Sequence, residues 1–363
     1  MSVIHRSWLG IPVWSFSVPV AAFAVLVLAW ALPLGWVLLP LIAAALIAAV
    51  LVGVHHAEVL AVRVGEPFGT LILALAVTII EVALIGSIML SRTPAAASLA
   101  RDTVFATVMI VCNGVVGLCL LLGAIRHHVL VFRVEGTSQT LSVLVALTTI
   151  TLVLPTLTLT TPGPTYAPAQ LAFVGVMSLL LYGVFVFVQT VRHRDYFLPL
   201  GGEVDEHHAM PSGRVARVSL VLLFISLVAV VGLAKALAPT IEAGVEAASA
   251  PPAVVGVAIA LLVLLPETVS ALRAATRNRV QTSLNLALGS ALATIGLTVP
   301  TVAALSVLLG LPLQLGLPHK ETALLGVTLL LSTITLAGGS STVLHGAVHL
   351  VVFGAFLVLA IVP

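Results

Sequence analysis

"AVTIIEVALIG", residues 76–86, sets one glutamate, Glu81, inside an apolar run otherwise fit to cross a membrane. From Pro67 to Leu90 no other residue can carry a charge. A charge at the centre of a membrane helix costs about 2.5–3.5 kcal/mol on insertion scales. Such a group needs compensation, and no lysine, arginine or histidine shares the run.

The rest of the chain has the same apolar character. Of its 363 residues 60% are hydrophobic and 8% charged, with a mean hydropathy of +1.25; a soluble domain carries roughly 25% charged residues. Runs of about 18 or more apolar residues read as membrane helices. The ~10-residue alternation of a membrane β-barrel is absent from the sequence. The expected fold class is therefore all-α, a polytopic membrane protein whose surroundings are the lipid bilayer. A net charge of +2 without a basic run gives no case for nucleic acid. Cys112 and Cys119 stand seven apart on one expected helix. They would be separated by about 10 Å, too far for a disulfide with each other, and read as small core residues.

Apolar runs between charged or Pro/Gly-rich breaks mark eleven spans, near 18–34, 36–56, 67–91, 103–125, 139–161, 169–191, 214–237, 253–272, 281–309, 321–337 and 341–362. The first follows Arg6 and reads as a retained span rather than a cleaved signal peptide, because further spans follow. A polar segment beginning "RHRDYFLPLGGEVDEHHAMPSG" at 192 divides the chain. The expected organisation is an N-terminal tail and extra span (1–35), a first five-span repeat (36–191), a cytoplasmic acidic and histidine-bearing loop (192–213) and a second five-span repeat (214–363). With the N-terminus inside, only Arg92, Arg101, Lys235 and Lys320 of the 15 basic residues fall outside. The positive-inside bias thus puts the N-terminus in the cytoplasm and the C-terminus outside.

Of 13 acidic residues, two lie within spans: Glu81 in the third and Glu267 in the eighth. A buried carboxylate favours its protonated form, and a bound cation favours the ionised one. One group can therefore release a proton as it takes up an ion, which couples two fluxes. A protonated structural glutamate bonded to a neighbouring helix is the alternative for either residue alone. Two of them in matching places weigh against it. The third and eighth spans are five crossings apart, so their directions are opposed, and each is the second span of its half. Inverted-topology repeats have this arrangement, with the site near the midplane where the halves meet.

The surroundings suit a cation. In "LLPETVSA", 264–271, Pro266 precedes Glu267. A mid-helix proline removes a donor and pushes away the carbonyl four residues earlier, that of Leu262. Bare carbonyls are hard oxygen ligands of the kind Ca²⁺ uses; a kink that serves packing is the other reading. Thr78, three residues before Glu81, shares its helix face. The span after each glutamate offers more oxygens: Asn113 in "VMIVCNGVVG", 108–117, and Ser290 and Thr294, one turn apart, in "LGSALATIGL", 288–297. Gly289, Ala293 and Gly296 permit close helix approach, for which packing alone is an equal reason. The candidate cation ligands are Glu81, Glu267, Thr78, Asn113, Ser290, Thr294 and Leu262, with the two glutamates also coupling protons.

Weaker signals receive plainer readings. "HGAVH", 345–349, has zinc-protease histidine spacing, but Gly346 stands where a glutamate is required, so a polar contact in the bundle is expected. His207 and His208 read as part of a solvated linker rather than as a pH sensor or a loose cation site, and Glu58 and Glu66, at the cytoplasmic edge of the third span, read equally as a funnel for cations or as ordinary interfacial charges. Asp102 beside Arg101 reads as an N-terminal cap or first-turn acid of the fourth span. No Gly-x-Ser-x-Gly, HExxH or paired-aspartate motif is present. Neither enzyme activity nor a cofactor is expected.

Three stretches carry a resemblance: "HAEVLAVRVGEPFGTLILALAVTIIEVALIG" (56–86), "GVAIALLVLLPETVSALRAATRNRVQTSLNLALGSALATIGLTVP" (256–300) and "HGAVHLVVFGAFL" (345–357). Together they resemble the bacterial ChaA-type calcium/proton antiporters of the cation/Ca²⁺ exchanger superfamily, from about residue 50 to the C-terminus. The resemblance implies two inverted repeats, each giving one essential glutamate, here Glu81 and Glu267. It also implies a bacterial plasma (inner) membrane location, and expulsion of Ca²⁺, with Na⁺ or K⁺, in exchange for protons. The chain departs from the wider group, which has Gly-Asn two residues ahead of each glutamate. Here Val77-Thr78 and Leu264-Leu265-Pro266 stand before them, and a glutamine of the second-repeat partner helix aligns with Ala293. Fewer oxygens leave room for monovalent ions. A Na⁺(K⁺)/H⁺ antiporter with Ca²⁺ as a minor substrate is thus an alternative, and a cation channel is one of a different class.

Overall fold

In the computed structural model, residues 7–8, 11–32, 38–65, 68–90, 94–198, 211–247, 251 and 253–362 are described. Two tiny antiparallel pairs, β1 (Ser7–Trp8) with β2 (Ile11–Pro12) and β3 (Leu130–Val131) with β4 (Ser340–Ser341), are set among helices. α1 (Val13–Ala31), α2 (Leu38–Val64) and α3 (Phe68–Met89) come first. The next rod joins α4 (Pro94–Met109) through a π-helical segment (Ile110–Val115) to α5 (Val116–His127). Then α6 (Val134–Thr148) passes through a π segment (Thr149–Val153) into α7 (Leu154–Leu157), and α8 (Pro168–Phe187) ends in a π turn (Val188–Arg192). α9 (Gly213–Ala247) and α10 (Ala253–Thr276) follow. α11 (Val280–Ala293) continues through a π segment (Thr294–Thr298) into α12 (Val299–Leu309). The last two helices are α13 (His319–Ala337) and α14 (Val343–Ile361). Among the described residues ten helical rods are long and apolar enough to span a membrane, and Ala74–Met89 of α3 adds a shorter apolar helix. The chain is an all-α, multi-pass membrane protein.

The residues divide into two compact units, 1–91 with 204–248 and 92–203 with 249–363. In the first, α2 packs along α9, α1 and α3. Its buried Ile42, Leu46, Ala49, Gly53 and Ala57 recur at helical spacing, and Gly53 brings Ile80 of α3 and Ser226 of α9 against one turn. Pro19 sits inside α1, where it cannot supply an N–H to the carbonyl four residues back, that of Ser15. His56 meets the loss: its Nε2 donates to the Ser15 carbonyl at 2.8 Å. The proline is thereby tolerated within the helix, which begins at Val13 rather than near residue 18.

In the second unit α10 lies against α4, α5 and α11, α14 against α5, and α12 against α8. The α5–α14 crossing is backbone to backbone: a side chain at Gly346 would stand 2.8 Å from the Gly117 carbonyl oxygen. A proline again leaves a carbonyl to be met. Pro155 lacks the N–H that the π register would direct to Ile150, and the Tyr166 hydroxyl donates to that carbonyl at 2.6 Å. Burial pushes the Tyr166 hydroxyl up to about 12, so it remains a donor through neutral pH. The β3–β4 pair clips the α5–α6 turn to the α13–α14 turn; the Phe132 N–H donates to the Gly339 carbonyl at 3.0 Å, and Gly339 adopts a left-handed φ of 66°. The start of the polar segment is docked, because Asn285 Nδ2 on α11 donates to the Phe197 carbonyl at 2.6 Å. Residues 199–210, with His207 and His208, lie outside the described residues, as does Glu66.

Several rods outrun their expected ends. α2 reaches Val64 rather than 56, α4 begins at Pro94 rather than 103, and α9 runs to Ala247 rather than 237. Charged residues that the sequence offers as breaks ride on the helices instead. Asp102 is accordingly no cap. It lies well inside α4, where Oδ2 accepts from Ser98 Oγ at 2.9 Å and Oδ1 from Arg101 Nε at 2.8 Å. Cys112 and Cys119 are free, buried thiols.

Candidate functional site

In the first unit, α3 carries Glu81 at 1% exposure and Thr78 at 5%. Ile80, Leu84 and Ile85 around them are buried as well. The carboxylate is therefore interior to an apolar helix, and the threonine hydroxyl sits one turn away on the same face.

The other five candidates belong to the second unit. Glu267 stands on α10 directly after Pro266, and α10 remains one continuous α-helix through the proline. The ring removes the donor opposite the Leu262 carbonyl without ending the helix. Thr268 Oγ1 donates to the Leu264 carbonyl at 2.7 Å, so a hydroxyl of the next residue is spent on the backbone.

Asn113 is fully buried at 0% exposure within the π segment Ile110–Val115, and Thr294 opens the π segment Thr294–Thr298. Ser290 precedes Thr294 by one α-helical turn and is partly exposed. π-bulges insert an extra residue into a helix and occur frequently at functional sites. Here one falls in the span after each glutamate, on the residue whose oxygen was singled out. α10 packs against the first of these segments, α11 lies across it, and α4 lies against the second.

Asn113 has partners on two other helices that the sequence does not announce. Its Nδ2 donates to Thr328 Oγ1 on α13 at 2.8 Å, and its Oδ1 faces His349 Nδ1 on α14 at 3.3 Å. The signal was present as buried hydroxyls at helical spacing, Thr328, Ser332 and Thr335, a polar stripe on an otherwise apolar span. The two histidines of "HGAVH" do not converge. His345 Nδ1 accepts from the Thr342 N–H at 3.2 Å as part of a capping box, whereas His349 makes the expected polar contact in the bundle.

Residues 32–191 and 218–362 match the family described as sodium/calcium exchanger protein. The y4hA protein of Sinorhizobium fredii (strain NBRC 101917 / NGR234) is 49% identical over 361 residues, 97% of each chain. The sodium-potassium/proton antiporter ChaA of Escherichia coli (strain K12) is 39% identical over 308 residues, 84% of this chain and 83% of that one. The structure of native YfkE is similar in fold, with a TM-score of 0.74 and 18% identity, over 96% of this chain and 100% of that one.

Proposed function

Since the chain belongs to the sodium/calcium exchanger protein family, we propose that it is a secondary antiporter. It expels Ca²⁺, and Na⁺ and K⁺ beside it, in exchange for protons across the bacterial inner membrane. What most supports this reading is a carboxylate inside an apolar span in each half, Glu81 buried and Glu267 partly buried. Each is followed by a span that turns π-helical at an oxygen-bearing residue.

Facing outward, Glu81 and Glu267 release the cation and take up protons. Facing inward, they give those protons to the cytoplasm and bind a new cation. Thr78, Asn113, Ser290, Thr294 and the Leu262 carbonyl add neutral oxygens, which replace the water that a hard cation sheds. The first two spans of each half rock or slide to change access. Two carboxylates exchanging one Ca²⁺ for two protons keep their charge compensated in both states. The name of the ChaA relative, a sodium-potassium/proton antiporter at 39% identity, favours a second reading, in which Na⁺ and K⁺ lead and Ca²⁺ is minor.

The test uses everted vesicles acidified inside by respiration, with Ca²⁺, Na⁺ or K⁺ added separately to wild type, Glu81→Gln and Glu267→Gln. Ca²⁺ should collapse the pH gradient in wild type and in neither variant. A larger response to Na⁺ or K⁺ would select the second reading. Normal exchange by the glutamine variants would make both carboxylates structural. Steady current in a planar bilayer without proton movement would identify a channel instead.

A further inference from the structure

α14 carries His349 to a wholly buried position, and no step described above uses its ring. Nδ1 lies 3.3 Å from Asn113 Oδ1, Nε2 lies 3.1 Å from Thr335 Oγ1, and the ring also hydrogen-bonds the Cys112 carbonyl. On the far side of the amide, Asn113 Nδ2 donates to Thr328 Oγ1 at 2.8 Å, and that hydroxyl donates to Met109 Sδ at 3.3 Å. Thr328 and Thr335 stand two turns apart on one face of α13, so they hold the two ends of the chain.

The direction of each hydrogen bond follows from the groups. An amide oxygen only accepts, so His349 Nδ1 carries the hydrogen. The neutral ring then accepts at Nε2 from the Thr335 hydroxyl. The hydrogens run one way, from Thr335 to His349, Asn113, Thr328 and Met109. Turning the amide over would need a change of ring tautomer and rotation of both hydroxyls together.

We propose that His349 is a positioning residue for the cation-binding amide of Asn113. Its Nδ1–H holds the amide in one of its two orientations. The oxygen keeps its second lone pair for a cation, and the nitrogen, whose hydrogens would repel one, stays on Thr328. This inference rests on the antiport reading above. Partners that orient a metal ligand from behind typically contribute about 10–100-fold to metal affinity.

The experiment is exchange against cation concentration in everted vesicles, for whichever of Ca²⁺, Na⁺ or K⁺ the wild type transports best. A substituted asparagine amide falls near the former Nδ1, and a glutamine amide falls near the former Nε2. His349→Ala and His349→Gln should raise the apparent KM about tenfold or more, with maximal rate within about twofold. His349→Asn should restore KM to within about threefold of wild type. Thr328→Val, nearly isosteric, should raise KM severalfold from the other end of the amide, and it reads the same lock if the His349 variants fail to reach the membrane. The proposal is overturned if His349→Asn is no better than His349→Gln, or if Thr328→Val leaves KM unchanged. A wild type that exchanges none of the three ions defeats the antiport reading itself, and this inference falls with it. A working wild type with unaffected variants defeats the positioning role alone.

Discussion

At the scale of single residues, two carbonyls that prolines leave without a helical donor are met by side chains from elsewhere in the fold. Pro19 leaves the Ser15 carbonyl, and His56 meets it from another helix. His56→Leu should destabilise the protein by about 1–3 kcal/mol, because the carbonyl is then buried with no partner. Pro19→Ala restores the N–H that the helix lacks. In that background His56→Leu should cost at least ~1 kcal/mol less, and thermal melting of the four proteins in detergent gives the coupling directly. Strict additivity of the two substitutions would show that the ring and the proline are unrelated. Tyr166 stands in the same relation to Pro155 and Ile150. Tyr166→Phe keeps the packing and removes the donor, so a loss of about 1 kcal/mol is expected in the same assay.

At the scale of elements, the crossing of α4 and α10 decides where Glu267 can stand. A methyl group at Gly256 would lie 2.9 Å from both the Asp102 carbonyl carbon and the Thr103 nitrogen, backbone atoms with no freedom to yield. Gly256→Ala should therefore push α10 away from α4, cost about 1–3 kcal/mol and slow exchange. Gly354→Ala on α14 is the control, because no atom outside its own turn lies within 4 Å. Equal melting temperatures and exchange rates for the two variants would remove the crossing from the argument. Much at this scale was legible in the sequence. Long apolar runs and a carboxylate inside one are local signals, so the spans and the anomaly of Glu81 and Glu267 needed no structure. The rod ends were less legible, because a charge reads as a boundary until its partners within the helix are known, as Ser98 is for Asp102. The π segments were invisible, since the same residue types make an α turn or a π turn. His349 read only as a generic polar contact, because its partner Asn113 is 236 positions away in the chain.

At the scale of the whole molecule, charge balance links the number of carboxylates to the energetics of transport. If Glu81 and Glu267 are the titrating pair, Ca²⁺ replaces two protons and no net charge crosses the membrane. For a monovalent ion, one carboxylate holds the cation while the other keeps its proton, so one Na⁺ replaces one proton and exchange is again neutral. A transported net charge would respond to the membrane potential by about 2.3 kcal/mol per 100 mV, a shift of roughly fiftyfold in the equilibrium ion ratio. The expected outcome is that clamping vesicles at 0 or 100 mV, with an ionophore for an ion the protein does not carry, leaves that ratio unchanged for both Ca²⁺ and Na⁺. A fiftyfold shift for Ca²⁺ would mean that a third proton, or a single one, moves with each turnover. The two-carboxylate scheme would then need another proton carrier or the loss of one of its two. A shift for Na⁺ alone would place both carboxylates in the ionised form around a monovalent ion, and the hydroxyls of Thr78, Ser290 and Thr294 would have to donate hydrogen bonds to the unbalanced negative charge.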